Sequence, residues 1–365
     1  MKKLIFLTMT TLFIVALLAG CAPKSVPPME SNSAAPANQS APAADMSNST
    51  SGDMPEYFIY TANEGDATVS VINMATMEVS ATIPVGQGAH NAQVTPDGSF
   101  VYVVESQNGS ISAIDTASNS VVKTIKVGDG PTHVVFSPNS KTAYVTVAEM
   151  ADSTNSSGHD MGSEKKPGNV YVIDVASGNI TAKIPVGMMP HGLKISPDGT
   201  HVVVANMESN QLSAIDTASN SVIQTIEIGK QPVQVGFTPD SKYVLASLSG
   251  DNQVAVIDMM NMAIVKTINV GKEPNQLIAT PDSKFVYVAN SGSDDVSVID
   301  MTTLEAVNTI IAGDKAQGIS ISKDGTTLFI TNTSANNVTV IDTATNTVVS
   351  TIPVGKAPNG ITIKE

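Results

Sequence analysis

Beyond about residue 56 the chain reads as short apolar runs separated by polar turns. Valine, isoleucine and other β-branched residues dominate those runs. No stretch shows the 3.6-residue period of an amphipathic helix, so the runs are predicted strands. The unit beginning near His191 shows the layout. Residues 192–196 form a first strand, followed by Pro197-Asp198-Gly199, a turn in which glycine supplies a positive φ. His201–Asn206 alternates only weakly, as a strand covered on both faces does. Gln211–Asp216 is the third strand and 222–228 the fourth, and Gly229 and Pro232 punctuate the passage to the next unit.

The layout repeats. A third strand ending in Ile-Asp or a close variant occurs at Ile72-Asn73, Ile114-Asp115, Ile173-Asp174, Ile215-Asp216, Ile257-Asp258, Ile299-Asp300 and Ile341-Asp342. The steps between them are 42, 59, 42, 42, 42 and 42 residues, so one repeat carries a 17-residue insertion, at about 150–167. The decapeptide SAIDTASNSV stands unchanged at 112–121 and 213–222. Seven units of four strands predict an all-β, seven-bladed β-propeller with four antiparallel strands per blade. The first strand, 57–62, corresponds to a second strand of the unit, and the last, 360–364, to a first strand. The C-terminal strand is therefore expected to complete the N-terminal blade, closing the ring and removing a free sheet edge.

Tyr144-Val145-Thr146-Val147, Tyr287-Val288-Ala289-Asn290 and Phe329-Ile330-Thr331-Asn332 resemble the signature of the YVTN-type β-propeller repeat proteins. The turn Ser196-Pro197-Asp198-Gly199 and the Ile-Pro-Val-Gly steps at 184–187 and 352–355 are similar to the same family. The resemblance spans nearly all of 56–365 and implies the fold. It is poor for function, because such propellers include surface-layer proteins, periplasmic proteins and relatives of redox and lactonase enzymes.

The N-terminal segment has a different character. Lys2 and Lys3 precede a largely apolar run to Leu18, and the run ends in Leu18-Ala19-Gly20-Cys21. Small residues before a cysteine resemble the bacterial lipobox, with residues 1–20 as a signal peptide and Cys21 as the lipidated N-terminus. A secretory signal or a membrane anchor is the alternative. The run, however, is shorter than the roughly 20 residues that span a bilayer. Ala22, rather than Asp, follows the cysteine. The expected location is extracytoplasmic, lipid-anchored to the outer membrane or cell surface. Residues 21–55, rich in Ser, Ala, Asn and Pro, read as a flexible tether, leaving 56–365 as the propeller.

Charge and cysteine content narrow the classes. Cys21 is the single cysteine, so no disulfide within the chain is available. Removing residues 1–20 takes away two lysines and no acid, moving the formal net charge from −14 to −16. Arginine and tryptophan are both missing. An acidic body without guanidinium forks or indole platforms speaks against nucleic acid and against anionic lipid headgroups.

Three of the five histidines, His90, His133 and His191, open the first, innermost strand of successive units and should gather at one mouth of the central channel. His133 is one residue out of register with the other two, so its side chain is expected on the opposite side of its strand. The insertion emerges on the same face, which would bring His159 and Met161 over the mouth. Glu105, where the family pattern has Asn, and Glu149 are expected to join them. Imidazole, thioether and carboxylate together suit copper or zinc. His201 lies at the far end and belongs to neither group. No nucleophile elbow, zinc-protease helix or P-loop is present. Asp115, Asp174, Asp216, Asp258, Asp300 and Asp342 recur in blade after blade and are better explained by turns than by catalysis.

Three readings remain open. The first is a membrane-anchored binding or scaffolding module, expected as a monomer, that presents its loops to an envelope protein, polymer or small ligand. The second is a copper- or zinc-binding redox accessory protein using His90, His133, His191 and His159 with Glu105, Glu149 and Met161. The third is a lactonase-like hydrolase, for which Glu105 and Glu149 are the available acid–base pair.

Overall fold

The computed structural model describes residues 57–149 and 166–365. Within them 28 strands form seven four-stranded antiparallel sheets, arranged as the blades of a propeller, with no helix among the described residues. Each blade meets the next through its own apolar cluster, and seven such clusters complete the circuit.

The first blade is composite, in the strand order β28 (Pro358–Lys364), β1 (Phe58–Asn63), β2 (Thr68–Asn73), β3 (Glu78–Pro84). Tyr60 stands opposite Thr362 across the β1–β28 ladder. The seam is also welded sideways: Phe329, Val338 and Val340 of the seventh blade pack with Ile59, Ile72 and Ile361 of the first. Closure thus satisfies the backbone groups of both chain-terminal strands and buries a complete core cluster.

The second to seventh blades run in order through residues 89–126, 131–188, 190–227, 232–269, 274–311 and 316–353. In each, the second and third strands are buried on both faces. In the fourth blade these are β13 (His201–Asn206) and β14 (Gln211–Asp216), with burial interrupted only at their ends. The outermost strand, such as β15 (Ser221–Glu227), exposes most of its length. That explains why alternation was weak in the middle strands: neighbouring blades cover both sides.

The turns show why the repeat keeps its polar residues. Gly199 has φ +74°, and a Cβ there would lie 2.8 Å from Pro138 in the adjacent blade. Asp198 Oδ1 accepts hydrogen bonds from Ser196 Oγ, Thr200 N and Thr200 Oγ1, fixing the turn. After the third strands, Asp115, Asp174, Asp216, Asp258, Asp300 and Asp342 each accept a backbone N–H two or three residues onward. They are turn caps, as expected.

The innermost strands line the channel and share one irregularity. In the third blade, β8 (Pro131–Phe136) pairs with β9 (Thr142–Val147), but the register shifts between Pro131 and Val134. His133 N donates to Thr146 Oγ1 at 3.1 Å. Gln234 N and Gly318 N make the corresponding bonds to Ser247 and Thr331. An extra residue is thus accommodated as a bulge in blade after blade, held by a hydroxyl of the neighbouring strand.

Candidate metal centre

His90 sits second in β4 (Ala89–Val94), His191 second in β12 (Pro190–Ile195), and His133 third in β8. The strands belong to three successive blades. One nitrogen from each imidazole lies within 4.8 Å of one from each of the others. Ring centroids are 5.5 Å apart for His90–His133, 5.4 Å for His90–His191 and 4.7 Å for His133–His191, all edge-on. The three histidines do gather, but His133 does not turn away. Parity along a strand fails at a bulge, where two consecutive residues face one partner residue. His133 occupies the extra position and reaches the same cluster.

The electrostatics favour neutral rings at His133 and His191. Burial, then the neighbouring His90, holds His191 down at about 3. Burial and the proximity of His191 and His90 push His133 well below the ordinary imidazole value. His191 Nδ1 lies 3.1 Å from the carbonyl oxygen of Val233. A carbonyl only accepts, so the His191 proton is on Nδ1 and the lone pair on Nε2. Both nitrogens of His133 and Nε2 of His90 are buried without a hydrogen-bond partner among the described residues.

Two further residues support the cluster and were not singled out from the sequence. Glu64, just past β1, has Oε2 3.5 Å from His90 Nδ1. Asn359, in β28, places Nδ2 3.1 Å from the same carboxylate and 3.0 Å from His90 Nδ1. Hydrogen bonding to His90 is the main reason the Glu64 carboxyl lies below its ordinary range, against the opposing effect of burial. The signal was available in the chain order: the loop after a second strand opens on the face where the first strands begin, and Glu64 is in such a loop.

Glu105 is not part of this cluster. It ends β5 (Phe100–Glu105) and is 1% exposed. Its oxygens take hydrogen bonds from Gly86 N at 2.7 Å, Ser110 Oγ at 2.5 Å, Ser112 Oγ at 2.5 Å and Asn108 Nδ2 at 3.2 Å. Burial alone would raise its pKa, but these donors outweigh it and the carboxyl lies below its ordinary range. The corresponding residues Asn63, Asn206, Asn290 and Asn332 bond the equivalent hydroxyls of their own blades. Glu105 is therefore a tie within its blade and to the connection that enters it.

Glu149 accepts from Asn169 Nδ2 at the exposed edge of the insertion and likewise stays outside the histidine group. His159 and Met161 lie outside the described residues. His201 hydrogen-bonds Thr200 at a turn of its own.

Comparison with known proteins adds the family. The model of the YNCE-like beta-propeller family matches residues 14–365. The chain belongs to that family. No curated protein matches it.

Among solved structures, this family member is similar to the hydrazine synthase of Kuenenia stuttgartiensis, with TM-score 0.69 and 24% identity over 78% of this chain and 92% of that one. It is also similar to a functionally unknown protein from Desulfotomaculum acetoxidans DSM 771, with TM-score 0.71 and 19% identity, covering 84% and 98%. A third likeness is to the dihydro-heme d1 dehydrogenase NirN in complex with DHE, with TM-score 0.61 and 16% identity, covering 84% and 74%. At these identities the likeness shows the fold alone.

Proposed function

We propose that this propeller binds a single transition-metal ion, zinc or copper, through His90, His133 and His191. The observation that carries this reading is the set of unpartnered ring nitrogens. Three imidazoles converge, His133 buried and His90 and His191 half-buried, and Nε2 of His90 and both nitrogens of His133 satisfy no hydrogen bond. Buried polar atoms left unpaired cost free energy, which a shared ion would offset. Imidazole donors without thiolate suit zinc and copper, and three histidines leave a fourth tetrahedral position open.

The surroundings support the same reading. Metal-bound histidines commonly donate their other N–H to a carboxylate or a backbone carbonyl. Here Glu64 faces His90 Nδ1 and the Val233 carbonyl faces His191 Nδ1. Two nitrogens each about 2.1 Å from a tetrahedral ion lie about 3.4 Å apart, so the rings need only close in from their present spacing.

The hydrolase alternative is poorly supported, because Glu105 and Glu149 do not form a pair and Glu105 has its oxygens committed. The envelope setting rests on residues 18–21: lipid attachment at Cys21 would hold the disc at a membrane surface, where it would meet an envelope protein, polymer or small ligand. Metal binding is tested by competition titration of untagged protein with zinc and with copper. One equivalent should bind tightly and be lost in a His90→Ala/His191→Ala double variant. Weak or unaltered binding would contradict the reading.

A further inference from the structure

Beneath the histidine cluster the channel widens into a cavity of about 470 Å³, lined by the innermost strands and reached by His133. Several polar groups of its wall are free to donate. Asn91 Oδ1 accepts from Val134 N, Gln234 Oε1 from Val235 N and Gln276 Oε1 from Ile319 N, at 3.2, 3.0 and 3.3 Å. With the three carboxamide oxygens engaged by backbone, their NH₂ groups are left without a partner among the described residues. Thr362 Oγ1 accepts from Val94 N, which leaves its O–H free to donate.

Besides Lys323 and Lys364, the cavity is lined by Lys194, inside strand β12. Its strand neighbours at the same depth in other blades are Gln93, Val135, Gly236, Ile278, Ser320 and Thr362. No carboxylate pairs with it among the described residues, and burial acts against its charged form. The acids that line the cavity, Asp97 and Glu365, are exposed at the outer rim and already accept hydrogen bonds from Thr95 and Lys323 N. Lys194 and four free donors, outnumbering the free carboxamide oxygen of Gln93, make the inner wall the complement of an anion. A lysine held there unpaired costs stability unless something answers its charge.

We propose that the channel cavity is a binding site for a small oxyanion, a carboxylate or a phosphate-like group, held by Lys194 with the carboxamide N–H groups of Gln234 and Gln276. The site is independent of the metal reading, since none of these three residues is a proposed ligand. If the metal is also present, the anion lies on the cavity side of His133.

The test is calorimetric titration of untagged, chelator-stripped and dialysed protein with phosphate, sulfate and citrate in turn. At least one should bind with a dissociation constant below about 1 mM. Preference for phosphate or sulfate would mark an inorganic oxyanion, and preference for citrate an organic carboxylate. Lys194→Met should weaken that binding at least tenfold and raise the thermal midpoint of the ligand-free protein, because an unpaired buried charge is gone. Lys194→Gln serves as the second variant and should weaken binding likewise. No binding of any of the three anions, or equal binding by both variants and the wild type, would overturn the proposal. Because the titration is done without metal, failure of the histidine site leaves this result interpretable.

Discussion

Glu64 Oε2 lies 3.5 Å from His90 Nδ1, across the boundary between the first and second blades. His90 Nδ1 faces one donor, Asn359 Nδ2, and one acceptor, this carboxylate. As the rings stand, Nδ1 accepts from Asn359. When Nε2 acts as a metal ligand the proton must move to Nδ1, the Asn359 amide must turn away, and the carboxylate is the group placed to receive the proton's hydrogen bond. Glu64 thereby orients the ring.

Glu64→Gln should accordingly weaken zinc binding about tenfold or more while leaving the fold intact, since the neutral amide is a poorer partner for a polarised imidazole. A chromophoric competitor measures the change directly. Unaltered affinity would mean that Glu64 does not act through His90.

The buried histidines set a pH dependence for the metal-free protein. His191 holds a value of about 3 in the folded state, against 6.5 ordinarily, chiefly through burial. Between those values the unfolded chain binds a proton that the folded chain refuses. Stability is therefore full above pH 6.5 and falls as pH drops through this window, by at most about 1.4 kcal/mol per pH unit for each such histidine. His191→Leu should lose less stability than the wild type between pH 7.5 and pH 5.0, read from urea midpoints. An equal loss would show that His191 protonates freely in the folded state.

Glu105 makes a prediction of the opposite kind. Glu105→Ala strands Gly86 N and removes the acceptor of two buried serine hydroxyls, which should cost about 2–4 kcal/mol. Zinc affinity should stay within a factor of two. A large loss of metal affinity at unchanged stability would return Glu105 to the channel mouth.

The seam between the seventh and first blades is where the ring is closed by residues far apart in sequence. Phe329 is fully buried there, so Phe329→Ala should cost about 3–5 kcal/mol. Ile311, 72% exposed on an outer strand, should tolerate the same change within about 0.5 kcal/mol. Equal costs at the two sites would contradict closure through this cluster.

The repeat made the architecture legible because a blade must bury its middle strands on both faces and turn four times. Those demands put Ile-Asp and a Pro-Asp type of turn at fixed spacing, and the position of the last strand fell out of the count. The site was legible only in part. His90 and His191 share a register and were placed together, whereas His133 was misdirected because a bulge, unlike a turn, leaves no fixed residue type behind. Glu105 misled by standing where Asn recurs. The substitution serves Ser110 and Ser112 within its own blade. Glu64 and Lys194 went unnoticed because their meaning comes from neighbours on other blades: His90 for one, and the carboxamides of Gln234 and Gln276 for the other.

The central claim is that His90, His133 and His191 share one ion. Crystals grown with zinc and measured at its absorption edge test it most directly. The account predicts one anomalous peak inside the channel mouth, about 2.0–2.1 Å from a nitrogen of each of the three rings. A mouth without a peak, with the rings still unpartnered, would contradict it.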